Sequence, residues 1–307
     1  MRDGPGSAAA PRAAGEGEES GTAWLSGDAA NARAKASAEN FPVAMRLLPR
    51  AYRRHLMAVY DYARTVDDAG DLAPVPQRPA ILAELAADLR RLYAAASDPA
   101  AAPPAVPAVA GLAATIADCQ IPMQLFLDLI RANEQDQVVS RYQTFGELQD
   151  YCRLSANPVG QIVLRIFGCY SLERAALSDS VCTGLQLTEH WQDVAEDMRA
   201  GRIYLPQEDL RAYGCEEQDL LAAQAPPRLR RLMAFEASRA GELIDAGAPL
   251  IGSLRGAPRA AIAGYVAGGR AALAAVAAAD YDVLAATPRA GKGRTAAELI
   301  TAFVRAR

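Results

Sequence analysis

Residues 186–206, QLTEHWQDVAEDMRAGRIYLP, contain a row of like charges at the spacing of a helix face. If the segment is helical, at about 100° per residue, then Gln186, Glu189, Asp193 and Asp197 lie within roughly a quarter of the helix circumference. A solvated helix usually places opposite charges at i,i+4 spacing, whereas like charges there cost about a few tenths of a kcal/mol per pair. We therefore expect a helix whose acidic face meets a cation.

A second acidic segment, DDAGD at residues 67–71, ends another predicted helix. On a continuous helix, Tyr60, Arg64, Asp67 and Asp71 lie within about 60° of one another. Prolines follow closely, so the helix is expected to end just beyond its carboxylates, near a mouth rather than in the middle of a core. Two predicted helices thus each present a pair of carboxylates four residues apart.

The rest of the chain also has a helical pattern. Hydrophobic residues make up 51% of the 307 residues and aromatic residues only 6%, and alanine occurs in long runs, which is typical of closely packed helices. We predict an all-α fold. Residues 1–36, rich in Gly, Ala, Ser, Glu and Pro, are predicted to be a disordered leader, so the helical domain is expected to span residues 37–307.

Charge and cysteine content argue against several classes of protein. The net charge is −4 and no block of Lys and Arg is present, so a nucleic-acid partner is not expected. The five cysteines are scattered without CxxC spacing, which indicates reduced thiols in a cytoplasmic protein. With no long apolar run and no signal peptide, we expect the chain neither to cross a membrane nor to be exported, although it could lie against a membrane.

Two carboxylate pairs without histidine at helical spacing favour a hard cation that binds oxygen. Magnesium fits, because it takes a few carboxylates, keeps several waters and completes its coordination with phosphate oxygens. A di-iron bundle is the main competing site, but it requires Glu-x-x-His on two helices. The only histidines are His55 and His190, and neither lies three residues after a Glu.

Basic residues near the acidic segments suit a diphosphate bridged by metal ions. Arg64 and Arg202 flank the two segments, and Lys292 and Arg53 are further candidates. A close pair of unit charges contributes about 4 kcal/mol at an effective dielectric of about 20, before desolvation. Stabilising a leaving diphosphate in this way is electrostatic catalysis at the developing charge.

Departure of a diphosphate leaves a carbocation, which requires an apolar lining with aromatic faces. The aliphatic helices supply such a lining, and Tyr60, Tyr151 and Phe41 are candidates for cation–π contact or for a hydroxyl near the reacting carbon. A substrate of about 30 carbons, buried at about 0.8 kcal/mol per methylene, would supply ample binding free energy.

Three motifs in order along the chain resemble the squalene/phytoene synthase family, the head-to-head isoprenyl diphosphate synthases. They are DDAGD at 67–71, YCRLSANPVG at 151–160 and the segment at 186–206, and the similarity runs from about Ala38 to the C-terminus. The resemblance implies a single-domain isoprenoid synthase helical bundle with a central cavity. It also implies an isoprenoid diphosphate substrate and several Mg²⁺ ions that bridge to its diphosphate.

Within that family, ENFPVA, SANPVG and WQDVAED, together with Gln135 and Asp136, resemble the bacterial hopanoid-associated hydroxysqualene synthase branch. That branch implies ionisation of presqualene diphosphate, rearrangement of the cyclopropylcarbinyl cation and capture by water, without NADPH. A handover of substrate from a presqualene diphosphate-forming enzyme and a weak peripheral association with membranes are further expectations.

The family's functional residues carry over to matching positions of this chain. Tyr151 matches a tyrosine at the reacting centre, and Tyr60 and Phe41 match the lining. The expected diphosphate-binding residues are Arg64, Arg202, Tyr204, Lys292 and Gln186. The expected metal ligands are Asp67, Asp68, Asp71, Glu189, Asp193 and Asp197.

Three positions depart from the family's pattern. Glu189 stands where relatives usually have Asn, so it can still bind magnesium but adds a charge. Leu72 replaces the acidic residue that often follows the first motif. Gln192 stands where squalene and dehydrosqualene synthases tend to have Arg, which favours the hydroxysqualene branch.

Other interpretations stay open from the residues alone. A single acidic i,i+4 pair is more often a solvated helix face than a metal site. Tyr151 could be a hydrogen-bonded core tyrosine and Lys292 a solvated lysine. Within the family, the alternatives are squalene, dehydrosqualene or phytoene synthesis, or formation of presqualene diphosphate from farnesyl diphosphate. A different class is a helical protein that has kept the fold and lost turnover.

Overall fold

The structure is a computed structural model that describes residues 48–305 apart from residues 97 and 99. The side chains of residues 292 and 303–305 are outside that description. The predicted leader over 1–36, the predicted start of the domain at residue 37 and the candidate Phe41 also lie outside the described residues, so these stay predictions.

Helices joined by short loops make up the described chain. Two short 3-10 helices cover Val75–Gln77 and Glu217–Leu221. The α-helices are α1 (Arg50–Asp71), α2 (Arg78–Ala95), α3 (Pro107–Ala110), α4 (Ala113–Cys119), α5 (Met123–Asp136), α6 (Phe145–Ser155), α7 (Asn157–Ile166), α8 (Leu172–Gln192), α9 (Val194–Arg199), α10 (Gln207–Ala212), α11 (Pro227–Gly247), α12 (Pro249–Ser253), α13 (Gly256–Ala278) and α14 (Lys292–Arg305).

Capping residues and prolines explain where the helices around the site begin. The Thr144 hydroxyl accepts a hydrogen bond from the Glu147 backbone N–H and starts α6, and Ser171 caps α8 in the same way through the Arg174 N–H. The helical pattern is interrupted at Asn157–Pro158, where α6 ends at Ser155 and a new helix begins with Pro158 in its first turn.

Within the described residues the structure contains no β-strand, and the all-α prediction is confirmed. One isolated parallel bridge joins Arg141 and Ile203, where the Ile203 N–H donates to the Ser140 carbonyl at 3.0 Å. This bridge fastens the segment that follows α9 to the segment that follows α5. It therefore holds together two loops that border the candidate site.

Glycines allow close packing of α8, α11 and α13 at the centre of the bundle. A Cβ built on Gly184 would lie 2.9 Å from the Ala240 carbonyl oxygen, and one built on Gly269 would lie 2.5 Å from Cδ2 of Leu185. No larger side chain fits at either position without displacing its neighbours. The small residues of α13 thus serve tight helix contacts, as the sequence indicated.

By length and composition alone, one described helix, α13, is long and apolar enough to cross a membrane. In the bundle it packs against α8, α11 and α14, and Val266, Ala267 and Ala271 are fully buried. Core helices of this composition pass the same test, so the helix is weak evidence for a membrane span.

Candidate active site

The first acidic segment lies at the end of α1, beside the last turns of α5. Asn133 donates its Nδ2–H to Oδ1 of Asp67 at 3.2 Å. Gly70 makes room for this contact, because a Cβ there would lie 3.1 Å from Cγ of Asn133. Arg202 donates from Nη2 to Oδ1 of Asp71 at 2.6 Å. Arg202, which follows the second acidic cluster in the sequence, therefore forms an ion pair with the first acidic segment.

Asp68 points to a different partner from that of its neighbours. Its Oδ1 lies 3.0 Å from Nη2 of Arg64, one turn earlier on α1, and the Asp68 side chain is buried. The structure thus pairs two residues that the sequence assigned separately to metal and to diphosphate. Both roles stay predictions.

The second acidic segment is bent, so the prediction of one continuous helix across it is wrong. Helix α8 ends at Gln192, Asp193 has φ −104° and ψ 14°, and α9 begins at Val194. Asp193 precedes the first turn of α9, and its side chain makes no capping hydrogen bond there. Backbone hydrogen bonds still join Asp193 to Glu189 and Asp197 to Asp193. The spacing of four residues therefore survives although the helix direction changes.

Burial and neighbouring like charges raise the pKa values of carboxyl groups in both acidic segments. Loss of solvation, followed by the charges of Asp193 and Asp67, raises the pKa of Glu189 to about 7. The same cause raises the pKa of Asp67 to about 6, with Asp71 acting in the same direction. Burial, followed by Asp193, raises the pKa of Asp197 to about 7. Glu189 on α8 thus faces Asp67 on α1, although solvent reaches both side chains from the open side.

The carboxylates of the two acidic segments fit a divalent cation that is also coordinated by water or phosphate oxygens. Among the described residues, no three His, Cys, Asp or Glu side chains are close enough to hold one ion by themselves. Mg²⁺ is commonly held by one or two carboxylates per ion, with waters and phosphate oxygens in the remaining positions. Crowded carboxylates on two facing helices suit that arrangement better than a complete cage of protein ligands.

A cluster of aromatic side chains adjoins the acidic segments. Tyr151 of α6 is buried, and its hydroxyl donates to Oδ2 of Asp136 at 2.7 Å. The Tyr204 hydroxyl donates to Oδ1 of the same carboxylate at 3.2 Å. The ring of Tyr142 lies 5.6 Å from that of Tyr151 and 5.8 Å from that of Tyr204, measured between centroids. Tyr151 and Tyr204 were predicted site residues, whereas the sequence assigned no role to Tyr142.

His190 packs inside this cluster, as a residue in a helix-packing role would. Its ring stacks on Tyr204 with centroids 3.7 Å apart, and its Nε2 lies 3.2 Å from Nε2 of Gln186. Burial, followed by the nearby charge of Arg202, lowers the pKa of His190 to about 3. The imidazole is therefore neutral, and the predicted diphosphate ligand Gln186 contacts it.

The loop before α14 lies against the second acidic segment. Gln192 donates its side-chain N–H to the Pro288 carbonyl, which holds the loop against the end of α8. Arg289, which the sequence analysis did not assign, lies near enough to oppose the raised pKa of Asp193, whose main cause is burial. The side chain of Lys292 lies outside the described residues. Tyr60 is half-buried on α1, one turn before Arg64.

A small cavity lies between the aromatic cluster and the second acidic segment. Its volume is about 10 Å³, and its lining includes His190, Asp197, Arg202 and Tyr204. This volume is close to the minimum that one water molecule needs. Val194, Ile203, Leu205 and Leu220 complete the lining, so the recess beside the buried rings has both polar and apolar walls.

Comparison with known proteins gives a consistent family. The family model described as squalene/phytoene synthase matches residues 34–294. A hydroxysqualene synthase from Rhodopseudomonas palustris is 32% identical over 220 residues, which cover 71% of this chain and 72% of that protein. A phytoene synthase from Mycobacterium bovis is 33% identical over 224 residues, covering 71% of this chain and 70% of the relative.

Solved structures have the same fold. A squalene synthase from Alicyclobacillus acidocaldarius has 40% sequence identity and a TM-score of 0.74, with 84% of this chain and 96% of that chain covered. A dehydrosqualene synthase in complex with a ligand has a TM-score of 0.77 at 22% identity, with 93% and 99% covered. The predicted isoprenoid synthase bundle is confirmed by these similarities.

Proposed function

Because this chain belongs to the squalene/phytoene synthase family, we propose that it is a hydroxysqualene synthase of squalene and hopanoid biosynthesis. In the proposed reaction the C–O bond of presqualene diphosphate breaks and diphosphate leaves. The cyclopropylcarbinyl cation rearranges, and the oxygen of a water molecule bonds to it. The products are hydroxysqualene, diphosphate and a proton, so no reductant is consumed.

The observation that carries this proposal is the meeting of the two acidic segments. Arg202 pairs with Asp71 at 2.6 Å, and the charge of Asp67 raises the pKa of Glu189 across the site. Mg²⁺, when bound between such carboxylates and a diphosphate, would neutralise the leaving group. Arg202 then lies where it can exchange the Asp71 carboxylate for a diphosphate oxygen.

The state of Tyr151 suits carbocation chemistry. Burial, followed by the neighbouring Tyr204 and Asp136, raises the pKa of Tyr151 well above its usual value. The side chain therefore presents a neutral aromatic ring and hydroxyl rather than a phenolate. A phenolate would be a strong nucleophile next to a cation, whereas a neutral ring stabilises the cation through its face.

The identity of residue 192 as Gln supports the hydroxysqualene branch over the branches that make squalene or dehydrosqualene. Family members that make squalene or dehydrosqualene tend to carry Arg there, and this chain has a neutral amide that donates to the Pro288 carbonyl. The neutral side chain leaves one fixed positive charge fewer beside the acidic segments. Hydroxysqualene synthases from Rhodopseudomonas palustris and Zymomonas mobilis are among the relatives, which also supports the branch.

Product identification tests the proposal. Purified protein is incubated with presqualene diphosphate and Mg²⁺, with and without NADPH, and the products are analysed by gas chromatography and mass spectrometry. Hydroxysqualene is expected in both reactions. Squalene that forms only with NADPH, or no turnover of presqualene diphosphate, would contradict the proposal.

Phytoene synthesis is the second candidate, because phytoene synthases are similarly related at 33% identity. Parallel incubations with farnesyl diphosphate and with geranylgeranyl diphosphate separate the alternatives. Phytoene from the second substrate would favour that candidate, and presqualene diphosphate from the first would indicate a synthase that acts one step earlier. A protein that has lost turnover would convert none of the three.

We propose Asp67 and Asp193 as ligands of Mg²⁺, one from each segment. Asp67→Asn and Asp193→Asn should each lower kcat at least about 100-fold, because the leaving diphosphate loses electrostatic stabilisation. Thermal stability should stay nearly unchanged. Asp150→Asn is the control, since Asp150 pairs with Arg153 on the exposed side of α6. Full activity in either site variant would show that its assigned role is wrong.

We also propose that the protein is cytoplasmic and touches membranes weakly at the rim of the site, where it takes presqualene diphosphate made by another enzyme. Leu72, next to Asp71, is 58% exposed, Val75 is 67% exposed and Val138 is 83% exposed. The Gln137 side chain donates to the Gly70 carbonyl, so Val138 lies near the end of α1. Exposed apolar side chains at the mouth of a site for an apolar substrate suit contact with lipid.

Vesicle binding tests the proposed contact between the rim of the site and a membrane. The wild type should co-sediment with phosphatidylcholine vesicles, and a variant with Leu72, Val75 and Val138 changed to Ser should bind at least about threefold less, because burial of apolar surface drives such association. Leu172→Ser is the control, since Leu172 is 81% exposed at the start of α8, away from the rim. Equal binding by the rim variant and the wild type would contradict the proposal.

A further inference from the structure

Asp136 occupies the centre of the aromatic cluster and has no role in the function proposed above. It is the last residue of α5 and is only partly exposed. Each of its carboxylate oxygens accepts a hydrogen bond from a phenol hydroxyl, Oδ2 from Tyr151 at 2.7 Å and Oδ1 from Tyr204 at 3.2 Å. Two acceptor positions of one side chain thus serve two separate elements, α6 and the segment that follows α9.

The two tyrosines have little freedom to find other partners. Tyr151 and Tyr204 are both buried, and their ring centroids lie 5.7 Å apart. The ring of His190 packs against both tyrosines, with its centroid 3.7 Å from that of Tyr204 and 6.1 Å from that of Tyr151. Burial raises the pKa of both phenols, so both carry the protons that they donate to Asp136.

Asp136 also belongs to a series of polar contacts that runs from Tyr151 to the first acidic segment. Tyr204 donates to Asp136 and interacts with Arg202. Arg202 in turn donates to Asp71 at 2.6 Å. The polar contacts therefore connect Tyr151 to the end of α1 through side chains from four segments of the chain.

A phenol that donates its proton in one direction presents its lone pairs in the others. We infer that Asp136 is a positioning residue. Its carboxylate accepts a hydrogen bond from each phenol and thereby fixes the direction of the Tyr151 hydroxyl and the place of Tyr204 beside Arg202. The Tyr151 oxygen then faces the reaction space as a hydrogen-bond acceptor. A developing cation, or the water that captures it, meets lone pairs instead of a proton.

Asp136→Asn tests this inference with little change of shape. The amide keeps one acceptor oxygen but replaces the other with an N–H donor, so one phenol must turn its proton away. We expect kcat for presqualene diphosphate to fall roughly 10- to 100-fold, because small errors in orientation cost that much, while KM stays within about threefold. In Tyr151→Phe/Asp136→Asn, the loss of kcat should be clearly smaller than the product of the two single losses, since the Tyr151 hydroxyl contributes to both.

A control separates positioning from folding. Asp88 on α2 is fully buried and accepts hydrogen bonds from the backbone N–H groups of Ala105 and Val106, both at 2.8 Å. Asp88→Asn should lower Tm without changing kcat more than about twofold. If Asp136→Asn leaves kcat unchanged, or if its effect multiplies fully with that of Tyr151→Phe, the inference is wrong.

The inference rests on the proposed function only for the choice of substrate. Tyrosine labelled with ¹³C at Cζ gives an NMR signal for each phenol, and Tyr151→Phe and Tyr204→Phe assign the two signals. Asp136→Asn should shift at least one of them, whereas Asp88→Asn should shift neither. Unchanged signals would overturn the inference even in an active enzyme. Failure of the wild type to convert presqualene diphosphate would overturn the proposed function and leave this measurement decisive for Asp136.

Discussion

Glu236 on α11 is, like Asp88, a fully buried carboxyl group outside the acidic segments. Its side chain is 0% exposed, and its Oε2 lies 3.4 Å from Nη1 of Arg239. Arg239 is shared with Asp209, which it contacts at 2.9 Å, so it neutralises Glu236 incompletely. Burial raises the pKa of Glu236 to about 8, although the charge of Arg239 opposes this shift. The group is therefore mostly protonated in the folded protein at neutral pH.

This raised pKa makes stability depend on pH. An unfolded chain releases the Glu236 proton near pH 4.5, whereas the folded chain keeps it to about pH 8. The folded state thus binds more protons between these values, so this group's contribution to stability falls as pH rises from about 4.5 to 8. Glu236→Gln cannot ionise, and its Tm relative to the wild type should rise by several degrees between pH 5.5 and pH 8.5.

Thermal unfolding at both pH values, followed by circular dichroism, measures that difference. Asp150→Asn serves again as the control, because an exposed carboxylate paired with Arg153 contributes little to stability. A difference in Tm between Glu236→Gln and the wild type that is the same at both pH values would show that Glu236 titrates normally.

Sequence spacing finds residues that act along one helix, but it misses residues that act between helices. Asp67 and Asp71, four positions apart, were found from their spacing on α1. Asn133, which donates to Asp67, and Asp136, which joins two tyrosines, lie on α5, and their partners are known only when α5 is packed. The pair Gln135–Asp136 was noted for its resemblance to a branch of the family, and that was the only signal available.

At the scale of helices, the contact between α1 and α5 sets the position of Asp67. Gly70 is buried at this contact, and a Cβ there would lie only 3.1 Å from Cγ and 3.3 Å from Cβ of Asn133. Asn133 also donates to the Leu129 carbonyl at 3.2 Å, so it has limited room to move. An added methyl group must therefore displace the side chain that holds Asp67.

Gly70→Ala should destabilise the protein by about 1–3 kcal/mol, the usual cost of overpacking, and Tm should fall by roughly 2–4 °C for each kcal/mol. The Mg²⁺ concentration that gives half-maximal activity should rise as well, since Asp67 loses its partner. Gly264→Ala on α13 is the control. A Cβ on Gly264 meets no atom within 4 Å, so a gain of about 0.5–1 kcal/mol is expected from helix propensity. A Gly70→Ala protein as stable as the wild type would contradict this account.

The bend at Asp193 shows why helix direction is harder to predict than helix content. The pattern from Gln186 to Asp197 satisfies a helical spacing whether or not the axis is straight. The helix is interrupted at Asp193, next to Gln192, whose side chain donates to the Pro288 carbonyl. That hydrogen bond joins the end of α8 to a loop 96 residues away. The sequence around Gln192 gives no signal that predicts this long-range contact.

The candidate site forms only when distant parts of the chain have folded together. Asp71 and Arg202 are 131 residues apart in sequence, and their ion pair joins α1 to the segment after α9. A ligand that binds both acidic segments therefore binds the folded chain and not the unfolded one. Such a ligand stabilises the fold by mass action.

Mg²⁺ and inorganic diphosphate together should raise Tm. At a ligand concentration of about 100 times Kd the stabilisation is about 2.7 kcal/mol, or roughly 5–10 °C. Differential scanning fluorimetry with each component alone, with both and with both plus EDTA measures the effect. Either component alone should act weakly, and Asp67→Asn should remove the shift. A shift that persists in Asp67→Asn or in EDTA would show that the diphosphate binds elsewhere.

Trp191 lies one residue from His190 and two from Asp193, and this position gives the protein an optical reporter of its own site. Its indole is fully buried and donates to the Glu236 carbonyl at 3.1 Å, so its emission should be blue-shifted. The chain has two tryptophans, and the other, Trp24, lies outside the described residues. In a Trp24→Phe protein the emission comes from Trp191 alone. Stopped-flow fluorescence of that protein could follow, in real time and without a label, how the bend beside Asp193 responds as diphosphate arrives.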